Sequence, residues 1–230
     1  MNFFIGIYKA LSDAIYFNLI REDRYLLFIK GLGVSLRLTL YAAIIGIIIG
    51  LLVAFARMTS SKALNKIASL YVDIIRGTPA VVQLVIIYYA ILGSSSLPKV
   101  GVASVAFGIN SGAYVAELIR AGIQAVDKGQ MEAARSLGFS HGQSMRYIII
   151  PQAIKNILPA LVSEVIVLLK ETAIAGYIAL DDLTRMGDIV RSRTFDAYTP
   201  YIVVALIYLY ITSILTYFLG KLERRMSVSD

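Results

Sequence analysis

The chain contains no cysteine and no tryptophan, and its one histidine is His141. Without cysteine there is neither a disulfide framework nor a thiolate metal site. No cluster of His, Asp and Glu has metal-ligand spacing and no Ser–His arrangement stands out, so no catalytic residue and no metal ligand is assigned. His141 reads as a surface side chain. Charge is scarce as well: 16% of the 230 residues, where soluble domains carry about a quarter. The chain also lacks a G-x-x-x-x-G-K-[ST] phosphate loop, so any nucleotide energy has to come from another protein. Its N-terminus has no basic stretch ahead of a clean apolar run, since Lys9 and Asp13 interrupt it, and a cleaved signal peptide is not expected.

What is present is apolar: 58% of the residues, with a mean hydropathy of +0.73. The net charge of +7 does not gather in one patch. It falls at the ends of apolar runs, which is membrane topology rather than nucleic-acid binding. A bilayer core takes roughly 20 mostly apolar residues per helix, and five segments approach this: Leu38–Ala56, Ile67–Ile91, Val100–Val126, Ile157–Ala179 and Ala197–Gly220. The expected class is an all-α membrane protein of about five transmembrane helices. Ahead of them, residues 1–30 form an N-terminal amphipathic, extracytoplasmic segment, with apolar positions at helical spacing from Phe3 to Ile15. Residues 31–222 form the transmembrane domain and 223–230 a tail. Gly46 and Gly50, four apart, favour a close helix–helix contact in the first span. Tyr88, Tyr89, Tyr198 and Tyr201 fall near span ends, where interfacial aromatics lie.

Three spans carry charge. An ionisable group at mid-bilayer costs about 2.5–3.5 kcal/mol on insertion scales, so each is a candidate functional residue. Asp73 and Arg76 are three apart, as are Glu117 and Arg120, and each couple can pair internally. Glu171 adjoins Lys170. Glu164 has no base three or four residues away on its own helix, so it has to find a cation elsewhere, take up a proton, or bind a cationic ligand. Acids on three helices suit an ammonium or guanidinium in a cavity of low dielectric. The candidate substrate-binding set is Asp73, Arg76, Tyr114, Glu117 and Glu164, with Tyr114 as a wall. A substrate carboxylate could meet Arg76, or backbone N–H groups where Gly77-Thr78-Pro79 or Asn110-Ser111-Gly112 loosens a helix.

Between the third and fourth spans runs a polar loop at about 128–151. Gln130–Leu137 has good helix formers, Gly138 suits a left-handed helix stop, and Ser140 to Gln143 fits a capping box. The loop reads Glu132-Ala133-Ala134, three residues, Gly138, nine residues, Ile148, one residue, Ile150, Pro151. This spacing resembles the EAA loop of the membrane subunits of bacterial ATP-binding cassette importers. Arg76-Gly77-Thr78-Pro79 with Gln83, Gly112 through Gly122, Gly129 through Gly138, and Lys170-Glu171-Thr172 look like the polar amino acid permease subfamily, and these pieces span most of the chain. Glu164 departs from that pattern, because the family often has Asn about six residues before the Lys.

The resemblance implies a type I importer permease without enzymatic activity, forming a dimeric core that is workable as a homodimer. Its implied partners are two cytoplasmic ATPases, which hold the ATP and Mg while this chain holds no cofactor, and an extracytoplasmic solute-binding protein. Glu132, Ala133, Ala134, Gly138 and Phe139 are the expected ATPase contacts, with Phe139 as an exposed anchor. The expected location is the bacterial inner membrane, N-terminus outside and C-terminus cytoplasmic, with lipid and an amino acid as further partners and no nucleic acid. Glu164 tips the cargo towards arginine, lysine or histidine. The alternatives are glutamine, glutamate or another polar amino acid, or an ion-coupled secondary transporter, which would move substrate in vesicles without any partner.

Overall fold

A computed structural model describes residues 2–227, which are almost entirely helical. α1 (Asn2–Ile15) is followed by a kink, where Glu22 and Asp23 adopt positive φ, and then by α2 (Tyr25–Met58). α3 (Lys62–Arg76) and α4 (Ala80–Val85, extended by a π-turn to Ile91) come next, followed by α5 (Lys99–Gln124). α6 (Lys128–Ser136) and α7 (His141–Ser144) make a short lever that leads through a further π-turn into α8 (Ile150–Glu171). A 3-10 segment (Thr172–Ile178), α9 (Leu183–Thr194) and α10 (Thr199–Ser227) complete the chain.

The core forms where α2, α5 and α8 meet. Leu38, Ala42, Phe107 and Leu168 are buried there. α5 is the central element: 72% of its apolar window is buried, against 6% for α10, whose surface is therefore left to lipid or to another chain. α2 and α5 approach closely because small residues face each other. A Cβ on Gly46 would stand 3.0 Å from that of Ser111, and one on Gly108 or Gly112 would overlap Ile45 or Ile49. The expected Gly46–Gly50 contact surface is thus met by a matching small-residue face on α5.

Among the described residues three helices, α2, α5 and α10, are long and apolar enough to cross a bilayer, and a fourth span is reached if α3 and α4 count as one. α8 is not among them; it carries Lys155, Glu164, Lys170 and Glu171. The second span is not the straight helix that an apolar run suggests. It bends by 105° between α3 and the helix that starts at Ala80. Pro79 has no N–H to donate and disfavours helical geometry before it, which leaves the last carbonyls of α3 without helical partners. The buried Gln83 answers this: its Nε2 donates to Ile75 O at 2.7 Å, Thr78 O at 3.1 Å and Thr78 Oγ1 at 2.7 Å. Asn110 of α5 then donates to Gln83 Oε1 at 2.9 Å, and so ties the bend to the central helix.

Other boundaries shift. α2 begins at Tyr25 and has 34 residues, about 50 Å at 1.5 Å per residue, longer than a hydrocarbon core. The polar connection after α8 holds a helix of its own, α9. Asp182 caps it, accepting from Thr184 N at 2.9 Å and Arg185 N at 3.2 Å. Burial pushes the Asp182 carboxyl up to about 6, against the lowering effect of those two backbone bonds. Gly31 of α2 lies against Leu183 and Met186, and Leu183 N donates to Ser35 Oγ at 3.1 Å. At the chain end α10 continues to Ser227, through the first part of the segment expected to be a tail; residues 228–230 lie outside the described residues.

Candidate translocation site and coupling loop

The acids singled out in the sequence have very different surroundings. Glu117 of α5 accepts from Arg57 Nη1 of α2 at 2.6 Å and is also held by the Arg120 guanidinium one turn along its own helix. The i,i+3 pairing with Arg120 agrees with the spacing. The second cation, Arg57, stands at the end of an apolar run and reads in the sequence as a loop charge. Asn65 of α3 fixes it further by donating to the Arg57 carbonyl. The group joins α2, α3 and α5 near the ends of those helices closest to the lever.

Glu164 of α8 has one hydrogen-bond partner among the described residues, Ser111 of α5, whose hydroxyl donates to Glu164 Oε1 at 2.9 Å. No ion pair within 4 Å engages it among those residues. Ser111 is itself buried and stands at the middle of α5. Asp73 and Arg76 do not pair with each other. Both are exposed on α3, and the Arg76 guanidinium lies over the Tyr114 ring, 5.4 Å from its centroid. A cation above an aromatic face is attracted by the ring quadrupole. Ser111 and Tyr114 are one turn apart on α5, so Glu164 and Arg76 are brought to neighbouring levels of the same helix, about 5 Å apart in rise. Tyr71 also ties α3 to α5, its hydroxyl donating to Ile109 O at 2.5 Å. Arg76 on Tyr114 and Glu164 on Ser111 thus meet α5 within one turn of each other, while Glu117 belongs to a separate ionic cluster.

The lever follows its sequence signals closely. Asp127 caps α6 through Gly129 N at 2.6 Å, Gly138 turns the chain at φ +89°, and Ser140 with Gln143 forms the full capping box on α7. Glu132 and Ala133 are exposed. Ala134 is only 1% exposed, packed inside the chain, so of the two alanines Ala133 alone is open to a partner. Phe139, expected as the exposed apolar anchor, is partly buried; Leu137, on the same turn, is 78% exposed. The reason is the turn itself: Phe139 N donates back to Ala134 O at 3.2 Å, and this folds the residue after the glycine towards the helix.

A helical membrane bundle with a broken second span, paired and unpaired charges between its helices, and a capped helix–glycine–helix lever defines a transporter subunit that borrows its energy. The family of binding-protein-dependent transport system inner membrane components matches residues 46–228, and the chain belongs to this family. It is 40% identical over 205 residues to the arginine transport system permease protein ArtQ of Bacillus subtilis (strain 168), covering 88% of this chain and 93% of that protein. To the glutamine transport system permease protein GlnP of Escherichia coli (strain K12) it is 36% identical over 205 residues, covering 88% and 94%. A crystal structure of an amino acid ABC transporter with histidines is 51% identical and superposes with a TM-score of 0.84 over 87% of this chain and 94% of that one. The MetNI methionine ABC transporter in an inward-facing conformation shares the fold, with a TM-score of 0.71 at 20% identity, over 89% of this chain and 98% of that one. The chain is accordingly an inner-membrane permease subunit of an ABC importer, of the amino acid class, a transport component rather than an enzyme. ATPase and substrate-binding partners come with the family.

Proposed function

We propose that this subunit passes a basic amino acid, and that Glu164 receives the cationic side chain. The observation that carries the reading is the contrast in compensation: Glu117 has two arginines, Glu164 one neutral hydroxyl. A carboxylate inside a bundle without a counter-charge is expensive, and a guanidinium or ammonium from the cargo offsets that cost. Arg76 of α3, whose guanidinium lies over Tyr114 one turn along α5 from Ser111, suits the α-carboxylate. Glu117 then holds α2 to α5 rather than touching cargo. The names of the relatives include both arginine and glutamine, and Glu164 favours the first.

Asp73 and Arg76 are exposed on a helix within the spanning region, where facing lipid would cost each about 2.5–3.5 kcal/mol. A second copy of the chain, placed so that the two α3 helices border a shared aqueous path, removes that cost and also covers α10. With five spans (α2, α3 with α4, α5, α8 and α10) the N-terminus and α9 lie outside, and the lever and C-terminus lie in the cytoplasm. Two partner ATPases, with ATP and Mg, grip Glu132, Ala133 and Leu137 around the turn at Gly138. Their closure rocks the bundle between outward- and inward-facing states, and a solute-binding protein delivers cargo from outside.

The test is uptake into vesicles that hold this chain, its ATPase and its binding protein, with labelled arginine and glutamine compared. Glu164→Gln is expected to lower arginine uptake at least tenfold, the equivalent of about 1.4 kcal/mol, and to spare glutamine. Unchanged arginine uptake in that variant overturns the assignment.

A further inference from the structure

At the end of α8 away from the lever, a second set of charges surrounds a cavity that the translocation site does not use. The 22 residues of α8 span about 33 Å at 1.5 Å per residue, so this cavity and the lever stand at opposite ends of the bundle. The cavity measures about 370 Å³ and is lined by Ala173, Gly176, Tyr177, Arg185, Asp188 and Tyr201, among others. That volume is within the roughly 300–1,000 Å³ of small-molecule sites. One wall is the 3-10 segment Thr172–Ile178, which continues the chain directly from the helix that carries Glu164.

The charges here are unevenly shared. Asp188 Oδ1 accepts from Arg191 Nε at 3.0 Å, Arg191 Nη2 at 2.8 Å and the Tyr201 hydroxyl at 3.0 Å. Asp188 Oδ2 has one donor, Arg185 Nη1, at a longer 3.2 Å. The Arg191 hydrogen bonds, more than any other contact, hold the Asp188 carboxyl below its ordinary range. Two guanidinium groups therefore share one carboxylate, and of Arg185's donors only Nη1 is engaged among the described residues. Arg185 also sits in the first turn of α9, where the helix dipole disfavours a cation. The nearest other acid, Asp182, is wholly buried with its oxygens on backbone amides, so it does not compensate the exposed pair. Arg185 can turn to another anion and leave Asp188 still held by Arg191 and Tyr201.

We propose that this cavity is an outer receiving subsite for the zwitterionic head of a free amino acid: Arg185 takes the α-carboxylate and Asp188 Oδ2 the α-ammonium. Cargo released outside meets this head-group site first and then moves along α8 to Glu164, which reads the side chain. The inference rests on the amino acid permease reading of the chain but not on the choice of cargo, since every α-amino acid carries the same head.

The test uses the assembled permease–ATPase complex in lipid nanodiscs, without the binding protein, and equilibrium binding of labelled arginine. In the Glu164→Gln complex, where the inner site is weakened, a weak saturable binding is expected to remain. Adding Arg185→Gln is expected to lower it at least tenfold, and Arg185→Lys to keep most of it. Agmatine, which is arginine without the carboxylate, is expected to bind equally with and without Arg185→Gln. Equal arginine binding in the two backgrounds overturns the subsite, and so does an agmatine loss as large as the arginine loss. Unchanged arginine binding together with a weaker ATPase response to loaded binding protein marks Arg185 as a docking contact instead, which also overturns it. If Glu164→Gln alone does not affect arginine binding, the basic-cargo reading fails, while the Arg185 comparison still decides the subsite.

Discussion

Glu117 and Glu164 are both glutamates on helices that meet in the core, yet their surroundings offer them very different counter-charge. Glu117 is enclosed by Arg57 and Arg120 near the lever end of the bundle, with the side chain 22% exposed. Glu164 reaches the middle of α5 and finds, among the described residues, the Ser111 hydroxyl alone. A charge already paired adds to the cohesion of helices and has little left for a ligand. A charge left unpaired keeps its cost until something cationic arrives. The difference teaches that an intramembrane acid is not a binding residue by type; its count of counter-charges decides.

The largest effect that can break this comparison comes from the paired side. Glu117→Gln leaves two guanidinium groups facing each other, and removing one partner of a buried pair costs roughly 3–5 kcal/mol; with this partial exposure about 3 kcal/mol is expected. Thermal unfolding of the purified subunit should show it, whereas Glu164→Gln should leave the melting temperature within a few degrees or raise it. Equal losses in the two variants would erase the distinction.

A smaller effect is expected at the lever. Gly138 has φ +89°, where a side chain costs about 1–2 kcal/mol. Gly138→Val should thus loosen the turn and uncouple ATP hydrolysis from uptake, with Glu132→Ala acting in the same direction through the partner contact. Full coupling in both variants, measured as transport per ATP, removes the loop from the mechanism.

The smallest effect concerns the corner between the N-terminal segment and the start of α10, where Asn18 Nδ2 donates to Asp196 Oδ2 at 2.8 Å. Burial pushes the Asp196 carboxyl upward, but hydrogen bonds from Thr199, the Tyr198 backbone and Asn18 outweigh it and bring it from 3.8 to about 2. A depressed acid stabilises the fold above its ordinary value. The contribution is therefore complete above about pH 4 and fades as pH falls towards 2. Asp196→Asn should flatten the acid side of the stability profile in that window by lowering stability above about pH 4, neutral pH included, and should converge with the wild type as pH falls towards 2.

Much of this was legible in the sequence because it is local. The lever's caps, its glycine stop, the weak point at Gly77-Thr78-Pro79 and the small-residue face of α2 all follow from residues within one or two turns. The pairing of charges was not. Arg57 and Glu117 are 60 residues apart and Ser111 and Glu164 are 53 apart, so no spacing rule reaches them. Arg57 looked like a loop cation because it ends an apolar run, and only the packing of α2 on α5 brings it inward. Phe139 is drawn back towards α6 because its N–H donates to Ala134 O across the Gly138 turn, and Leu137 is the apolar side chain left exposed. Gln83, whose hydrogen bonds close the bend, carried one signal that could have been used: an amide four residues after a helix-breaking proline.

The most direct test of the account is the thermal shift that cargo imposes on the assembled transporter. A ligand that binds only the folded state at a hundred times its dissociation constant stabilises by about 2.7 kcal/mol. Saturating arginine should raise the melting temperature of the wild-type assembly, the same concentration of glutamine should raise it less, and Glu164→Gln should abolish the arginine advantage. An arginine shift of full size in Glu164→Gln would contradict the claim that this carboxylate receives the cargo's charge.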